Sequence, residues 1–319
     1  MPEGPEVRRI TDKLRSRLSG RKLLWISWKT TKKYSPILDS IYPNISHLFP
    51  TTCLDIICKG KQLFFFFDNG LAFISSLGME GHWYYFPVEN NEGLQKLDNY
   101  KKGKNYRILC LHFGNVVDTG KSKLCISDTN VWYDDMIKYG NFTICDWKTA
   151  FDKMETIGND LLSVTCPITN INEQVRKELY PSFFAPINVN LYSTFIKNKR
   201  RSNVPLCKFL MNPNYFSGIG NYLKSEILYR ARLHPGRVLG SLIDDEIAVL
   251  YNVIVITIKE SYLHGGLTHG TFLDPDMEKG TFPLYVYKRR GEQDPYGYII
   301  QTTKIKGDRT TYFVPELQK

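Results

Sequence analysis

Four consecutive phenylalanines, Phe64 to Phe67, constrain this 319-residue chain more than any other stretch. Successive side chains of a strand point to opposite faces, so four rings in a row need apolar cover on both sides. The run predicts a strand buried on both faces, not an exposed aromatic platform. Shorter apolar runs at 22–28, 53–58, 71–75, 82–86, 106–113, 115–118, 123–127 and 131–133 surround it. Turn signals such as Asp68-Asn69-Gly70 and Gly114-Asn115 separate them. Regular short strands of this kind predict a β-sandwich. Ahead of them Val7, Ile10, Leu14 and Leu18 recur at helical spacing, with Arg8, Arg9, Lys13, Arg15 and Arg17 between them and Gly20 as a stop.

Near residue 150 the texture changes to helical spacing, broken by Asn, Pro and Gly, and continues to about 265. The stretch 241–263 holds a β-branched run, but its length, the Ile247, Leu250, Ile254, Ile258, Tyr262 spacing and the Gly265-Gly266 stop predict a helix. Strand-like runs return around 284–288, 297–303 and 309–314. That tail is too short for its own core and reads as a hairpin docked on the helical part. The expected class is α+β: a helix plus β-sandwich over 1–150, a helical domain over 151–283 and a hairpin over 284–319.

Lys and Arg outnumber Asp and Glu by 42 to 32, a net charge of +10. A folded basic chain of this size predicts a polyanionic partner, with nucleic acid ahead of a membrane surface. No apolar stretch has transmembrane length, and the N-terminus lacks the apolar core of a secretion signal. The seven cysteines are odd in number, form no CxxC, and fall mostly in apolar runs. Reduced thiols and an intracellular location are expected, nuclear in a eukaryote and cytoplasmic otherwise.

Three stretches carry chemistry. A proline after the initiator methionine, as in Met1-Pro2-Glu3-Gly4-Pro5-Glu6, becomes a terminal secondary amine once Met1 is removed. With a reference α-amino pKa of about 8, part of it is unprotonated at neutral pH. Amine plus the adjacent Glu3 carboxylate is the apparatus of Schiff-base chemistry; the competing reading is a plain helix start, with Pro5 in the first turn and Glu6 facing the dipole. Lys61, after Gly60 at the mouth of the aromatic strand, is either a solvated edge lysine or a point charge for a phosphate. In Ser217-Gly218-Ile219-Gly220-Asn221 the glycines permit close backbone approach, and the helix start that follows offers bare N–H groups to a phosphate. A simple helix–helix turn is the alternative there.

Together these residues resemble a known family. MPEGPEVRR at the N-terminus, GKQLFF around Lys61, LGMEGHW at 77–83, SGIGNYLKSEIL at 217–228, VYKRRGE at 286–292 and DRTTYF at 308–313 occur in that order. The chain is similar over nearly its whole length to the formamidopyrimidine-DNA glycosylase/endonuclease VIII family, which excises oxidised bases and nicks DNA. The resemblance implies a bifunctional glycosylase and abasic-site lyase acting as a monomer on damaged double-stranded DNA, without a cofactor, in base excision repair. Pro2 matches the nucleophile, Glu3 the acid that protonates the sugar ring oxygen, and Glu6 a second carboxylate at the site. Lys61 matches the lysine that grips phosphate beside the lesion, and Met79 the residue that fills the space a flipped nucleotide leaves. Asn221 in the helix-two-turn-helix and Arg309 at the finger tip match the backbone grip.

Two departures narrow the expectation. The family's common finger has four zinc-binding cysteines, yet no cysteine follows Cys207. Asp294, Gly297, Val314 and Leu317 fall near the corresponding positions, a set that cannot hold zinc. The chain thus resembles the zincless-finger branch, which implies that oxidised pyrimidines are favoured. In Asp135-Met136-Ile137-Lys138-Tyr139-Gly140 an isoleucine stands where the family commonly has an arginine that reads the opposite strand, while Tyr139 keeps the aromatic wedge. Two rivals are a catalytically inactive DNA-binding protein of the same fold and an RNA-associated helix-two-turn-helix protein. Pure binding needs no proline, glutamate and lysine at positions 2, 3 and 61, and the N-terminal motif and finger speak against RNA.

Overall fold

The structure is a computed structural model that describes residues 2–89, 95, 106–120, 122–184, 187–267 and 272–319. Helix α1 (Gly4–Leu18) is followed by strands β1 (Lys22–Trp28), β2 (Thr51–Lys59), β3 (Gln62–Phe67), β4 (Leu71–Ser76), β5 (Gly81–Pro87), β6 (Arg107–Asp118), β7 (Lys123–Asp135) and β8 (Asn141–Asp146). Antiparallel pairing runs in the order β5-β7-β6-β1-β2-β3-β4-β8. The β1–β2 link is only two residue pairs long, Lys22 with Thr52 and Leu23 with Thr51. The sheet bends there into two four-stranded leaves, which face each other as a sandwich.

Strand β3 sits as its sequence requires. Phe65 and Phe67 point into the core shared with α1, where they meet Ile10, Leu14, Phe73 and Trp83. Phe64 and Phe66 point the other way, against Phe151 and Met154 of helix α3 (Trp147–Glu155) and Val175. Burying four rings on two faces makes this strand the common wall of two cores. The segments expected separately at 106–113 and 115–118 form the single strand β6, and 123–127 and 131–133 merge into β7. A β-bulge at Phe113/Gly114 absorbs the break that the glycine suggested. Helix α2 (Ser35–Ile45) and strand β8 were not anticipated.

The helical part contains α4 (Leu206–Met211), α5 (Asn221–Arg230) and α6 (Asp244–Leu263), with shorter turns between them. The β-branched stretch at 253–258 is helical, with Leu250, Ile254 and Ile258 buried against Leu223 and Ile227 of α5. The tail forms a hairpin from two short strands, Gln301–Thr303 and Thr311–Phe313. Residues 284–288, expected as a strand, are not one. The N–H groups of Tyr285, Val286 and Tyr287 donate instead to the carboxylate of Glu226, at 3.0, 3.0 and 2.9 Å. Phe64–Phe67 and the tail thus show opposite outcomes for apolar runs: one finds strand partners, the other a side chain.

All seven cysteines are free thiols, and Cys53, Cys58, Cys110 and Cys207 are buried. Among the described residues no helix is long and apolar enough to cross a membrane.

Candidate active site

Glu3 precedes α1 in extended conformation, which turns its side chain out of its own helix and onto the start of α5. Its carboxylate accepts the N–H groups of Gly220, Tyr222 and Leu223 at 2.6, 3.0 and 3.3 Å. These are donors that a helix start leaves unpaired. Gly220 is obligatory: a Cβ there would lie 2.3 Å from the Glu3 carboxyl carbon. One residue on, the Gly4 N–H donates to the Gly218 carbonyl at 2.7 Å. The N-terminus and the 217–221 turn are therefore held as one unit.

Glu3 is 2% exposed. Burial pushes its carboxyl up to about 7; Lys61 pulls it down, Glu6 pushes it up again, and the Tyr222 and Gly220 N–H groups lower it. A carboxyl poised near neutrality can both give and take a proton. Glu6 is also buried, but its role differs. It accepts the Glu3 N–H at 2.9 Å, the Tyr222 hydroxyl at 2.8 Å and the Leu267 N–H at 2.8 Å. Those bonds place Glu6 inside the junction of α1, α5 and the segment after α6, away from the surface.

Lys61 lies in the turn between β2 and β3. Burial lowers its ammonium pKa, Glu3 and Glu6 raise it, and Arg309 lowers it further. The lysine thus sits within the electrostatic reach of both carboxylates and of the finger tip. The turn itself is held from the helical part: the Gly60 N–H donates to Asp160 at 2.9 Å. A groove of about 310 Å³ opens beside Lys61, lined by Gln62, Lys153, Asn214 and Ile219. A second cavity, of about 270 Å³, lies behind β2 between Arg8, Asp160 and Phe183, and has no part in this cluster.

Met79 and Tyr139 project from adjacent loops and are 41% and 68% exposed, the profile of side chains available to a partner. The loops touch at Gly78, where a Cβ would come within 2.4 Å of the Tyr139 carbonyl carbon. The Tyr139 loop is clamped from the segment before α2. The Tyr34 hydroxyl donates to Asp135 and to the Gly140 carbonyl, both at 2.9 Å, and the Lys33 ammonium donates to the Lys138 carbonyl at 2.8 Å. Lys138 has a left-handed backbone, φ 57°. Ile137 is exposed beside it.

Asn221 begins α5 and donates from its side-chain amide to the Thr310 carbonyl at 3.1 Å. This bond ties it to the finger tip, where Arg309 is exposed. Further along the finger, the residues at the family's zinc positions do not fit the metal. Asp294 accepts the Tyr229 hydroxyl at 2.9 Å and the Tyr296 and Tyr298 N–H groups at 3.0 and 2.8 Å. Val314 and Leu317 pack with Tyr229, Val286 and Ile300 in an apolar cluster. Zinc needs four thiolate, imidazole or carboxylate ligands free to bind it. Among the described residues the one acidic group close enough for a cation is Asp274, Asp276 and Glu278, and it is paired with Arg9, Lys13 and Arg17.

The junction thus joins a carboxyl raised to about 7, a half-buried lysine, two exposed side chains on adjoining loops and a helix start tied to a hairpin tip. That combination is compatible with a DNA glycosylase. Residues 1–131 match the family described as Formamidopyrimidine-DNA glycosylase N-terminal domain, and residues 186–272 match the Formamidopyrimidine-DNA glycosylase H2TH domain. The chain belongs to the formamidopyrimidine-DNA glycosylase family. It is 26% identical to the formamidopyrimidine-DNA glycosylase of an Exiguobacterium species and 28% identical to that of Lactiplantibacillus plantarum, each alignment covering 100% of both chains. The Lactococcus lactis Fpg, solved with abasic-site DNA, shares the fold with a TM-score of 0.74 at 21% identity, over 99% of each chain.

Several residues at this site carry no motif. Tyr222, itself bonded to Ser261, holds Glu6, Asp160 holds the Lys61 turn, and Lys33 and Tyr34 clamp the Tyr139 loop. Tyr222 is the exception, since it lies in the 217–228 motif, but nothing in its identity signals the partner. The others contact residues far away in sequence, and only the fold brings them in.

Proposed function

We propose that this chain is a bifunctional DNA glycosylase and abasic-site lyase of base excision repair. Damaged double-stranded DNA would lie in the cleft between residues 1–150 and 151–283, gripped by the finger at 284–319. Met79 and Tyr139 enter the stack where the damaged nucleotide leaves it, since a base cannot be reached inside a duplex. Lys61, Asn221 and Arg309 hold the phosphates around the extruded nucleotide.

The Pro2 amine attacks C1′, and the C1′–base bond breaks with its electron pair leaving on the base, which takes up the proton that the amine gives up. Glu3 gives its proton to the sugar ring oxygen as the ring opens, and the amine lone pair forms the iminium. Loss of the 2′ proton then expels the 3′ phosphate, and a second elimination expels the 5′ phosphate. Oxidised bases are the substrates, with pyrimidines favoured on the resemblance to the zincless-finger branch.

The observation that carries this reading is the Glu3 carboxyl, buried on three backbone donors and raised to about 7 beside Lys61. Borohydride treatment with abasic-site DNA should trap a covalent adduct at the N-terminal Pro2 of Met-free protein. An adduct at Lys61, or none, would overturn the assignment. A panel of duplexes bearing oxidised pyrimidines or formamidopyrimidines then ranks the lesions, and a preference for the latter would refute the pyrimidine reading.

A further inference from the structure

Lys224 is completely buried, in a stretch of α5 that is buried from Tyr222 to Tyr229. Its ammonium donates to the Asp308 carboxylate at 2.9 Å and to the Arg309 carbonyl at 3.2 Å. The Asp308 side chain is itself 5% exposed. An ion pair so enclosed is costly to desolvate, and its geometry rather than its net energy is what it contributes. Here the geometry bears on one place. Asp308 and Arg309 are consecutive residues of the hairpin tip, and the same helix reaches the next residue through Asn221 and Thr310. The Tyr312 N–H donates to Ser225 at 3.4 Å, one residue beyond Lys224.

From the buried ion pair at the finger tip we infer that Lys224 is the positioning residue for Arg309. It fixes the height of the tip above the helix whose first N–H groups hold Glu3. In a finger without metal, the hairpin base is closed by apolar packing, which is non-directional. Direction at the tip has to come from polar bonds, and the Lys224 ammonium supplies two of them to adjacent residues. The acid, held by the N–H groups of Gly220, Tyr222 and Leu223, and the phosphate grip, held by Lys224, are then mounted on a single helix. The inference rests on the proposed role of Arg309 in holding lesion phosphates.

Four forms of the full chain, wild type, Lys224→Met, Arg309→Ala and the double variant, would be compared in single-turnover excision of an intact oxidised base. Asp308→Asn serves as a second way to break the pair while keeping its shape. Arg309→Ala and Lys224→Met should each slow excision, by up to roughly 10²-fold, the loss expected from a misplaced clamp. Cleavage of a preformed abasic site should fall less. The double variant should be no slower than Arg309→Ala alone, because Lys224 acts through that residue. Asp308→Asn should reproduce the Lys224→Met defect at a temperature well below its own thermal midpoint, where the chain is folded, and Lys224→Arg should restore most of the rate. Additive losses in the double variant would mean that Lys224 serves only general stability, and would overturn the inference. A slow Arg309→Ala beside fully active Lys224→Met and Asp308→Asn would do so too, while leaving the reading of Arg309 intact. Full activity in Arg309→Ala would remove both.

Discussion

Helix α5 serves two buried carboxylates in the same way and to different ends. Glu3 takes three backbone N–H groups from the start of the helix, and Glu226, within the helix, takes three from residues 285–287. Burial raises the pKa of both. A perturbed carboxyl therefore does not mark catalysis by itself. What separates the two is their neighbours. Glu3 faces Lys61 and Glu6 at the junction with the N-terminus, whereas the cation near Glu226 is Arg230, itself paired with Glu260. The donors hold Glu3 at the site proposed for the reaction; at Glu226 they anchor the root of the finger.

The sharpest break in that comparison comes from Glu3→Gln. Excision of an oxidised base should fall by about 10²–10⁴-fold, the worth of a general acid, while DNA binding persists. Near-normal excision would mean that another group delivers the proton, and Glu3 would join Glu226 as a structural carboxylate. Glu226→Ala should do the reverse. Stripping the acceptor from three backbone donors should cost on the order of 3 kcal/mol in urea unfolding, with excision lost only as far as the finger loosens. A variant as stable as wild type would show that water or another group takes over those donors.

Glu3 should also mark how stability depends on pH. Unfolded, Glu3 ionises near its ordinary 4.5; folded, near 7. Between those values the native chain keeps a proton that the unfolded chain has released, so Glu3 makes stability fall as pH rises from about 4.5 to 7 and leaves it flat above. Glu3→Gln removes that loss. It should be about 2–3 kcal/mol more stable than wild type at pH 8, and no more stable at pH 4. A stability gain that does not change with pH would mean that the wild-type carboxyl is ionised throughout. The smallest effect concerns the finger as a whole. Chelators should leave both stability and excision unchanged, since Asp294, Val314 and Leu317 are committed to other contacts. Stoichiometric zinc in purified protein, by elemental analysis, would contradict that closure.

How far the sequence reveals these arrangements depends on the reach of each interaction. The double-sided burial of β3 is written in four consecutive residues, and the helix at 244–263 in a spacing repeated along its length. Glu3, Lys61 and Asn221 stand in contiguous motifs. By contrast, Lys224 and Asp308 are 84 positions apart, Gly60 and Asp160 100, and Tyr34 and Gly140 106. A pattern read over a dozen residues cannot pair them. The tail misleads for a related reason. Tyr285 to Tyr287 have strand composition, and nothing local indicates that a glutamate from another element will claim their N–H groups. Helix α2 escapes because Pro36 and Pro43 read as breaks, although the first occupies a tolerated first-turn position.

Strand β3 also acts as a ruler. Lys61 is the residue directly before it, and a strand advances about 3.3 Å per residue. A slip of one residue would shift the ammonium by about that distance relative to Glu3 and Glu6, whose charges it now feels. The same slip would swap Phe65 and Phe67 with Phe64 and Phe66 between two differently shaped cores. The chain has no partial setting between right and wrong register, so the aromatic wall behind the site turns a graded positional error into a prohibited one.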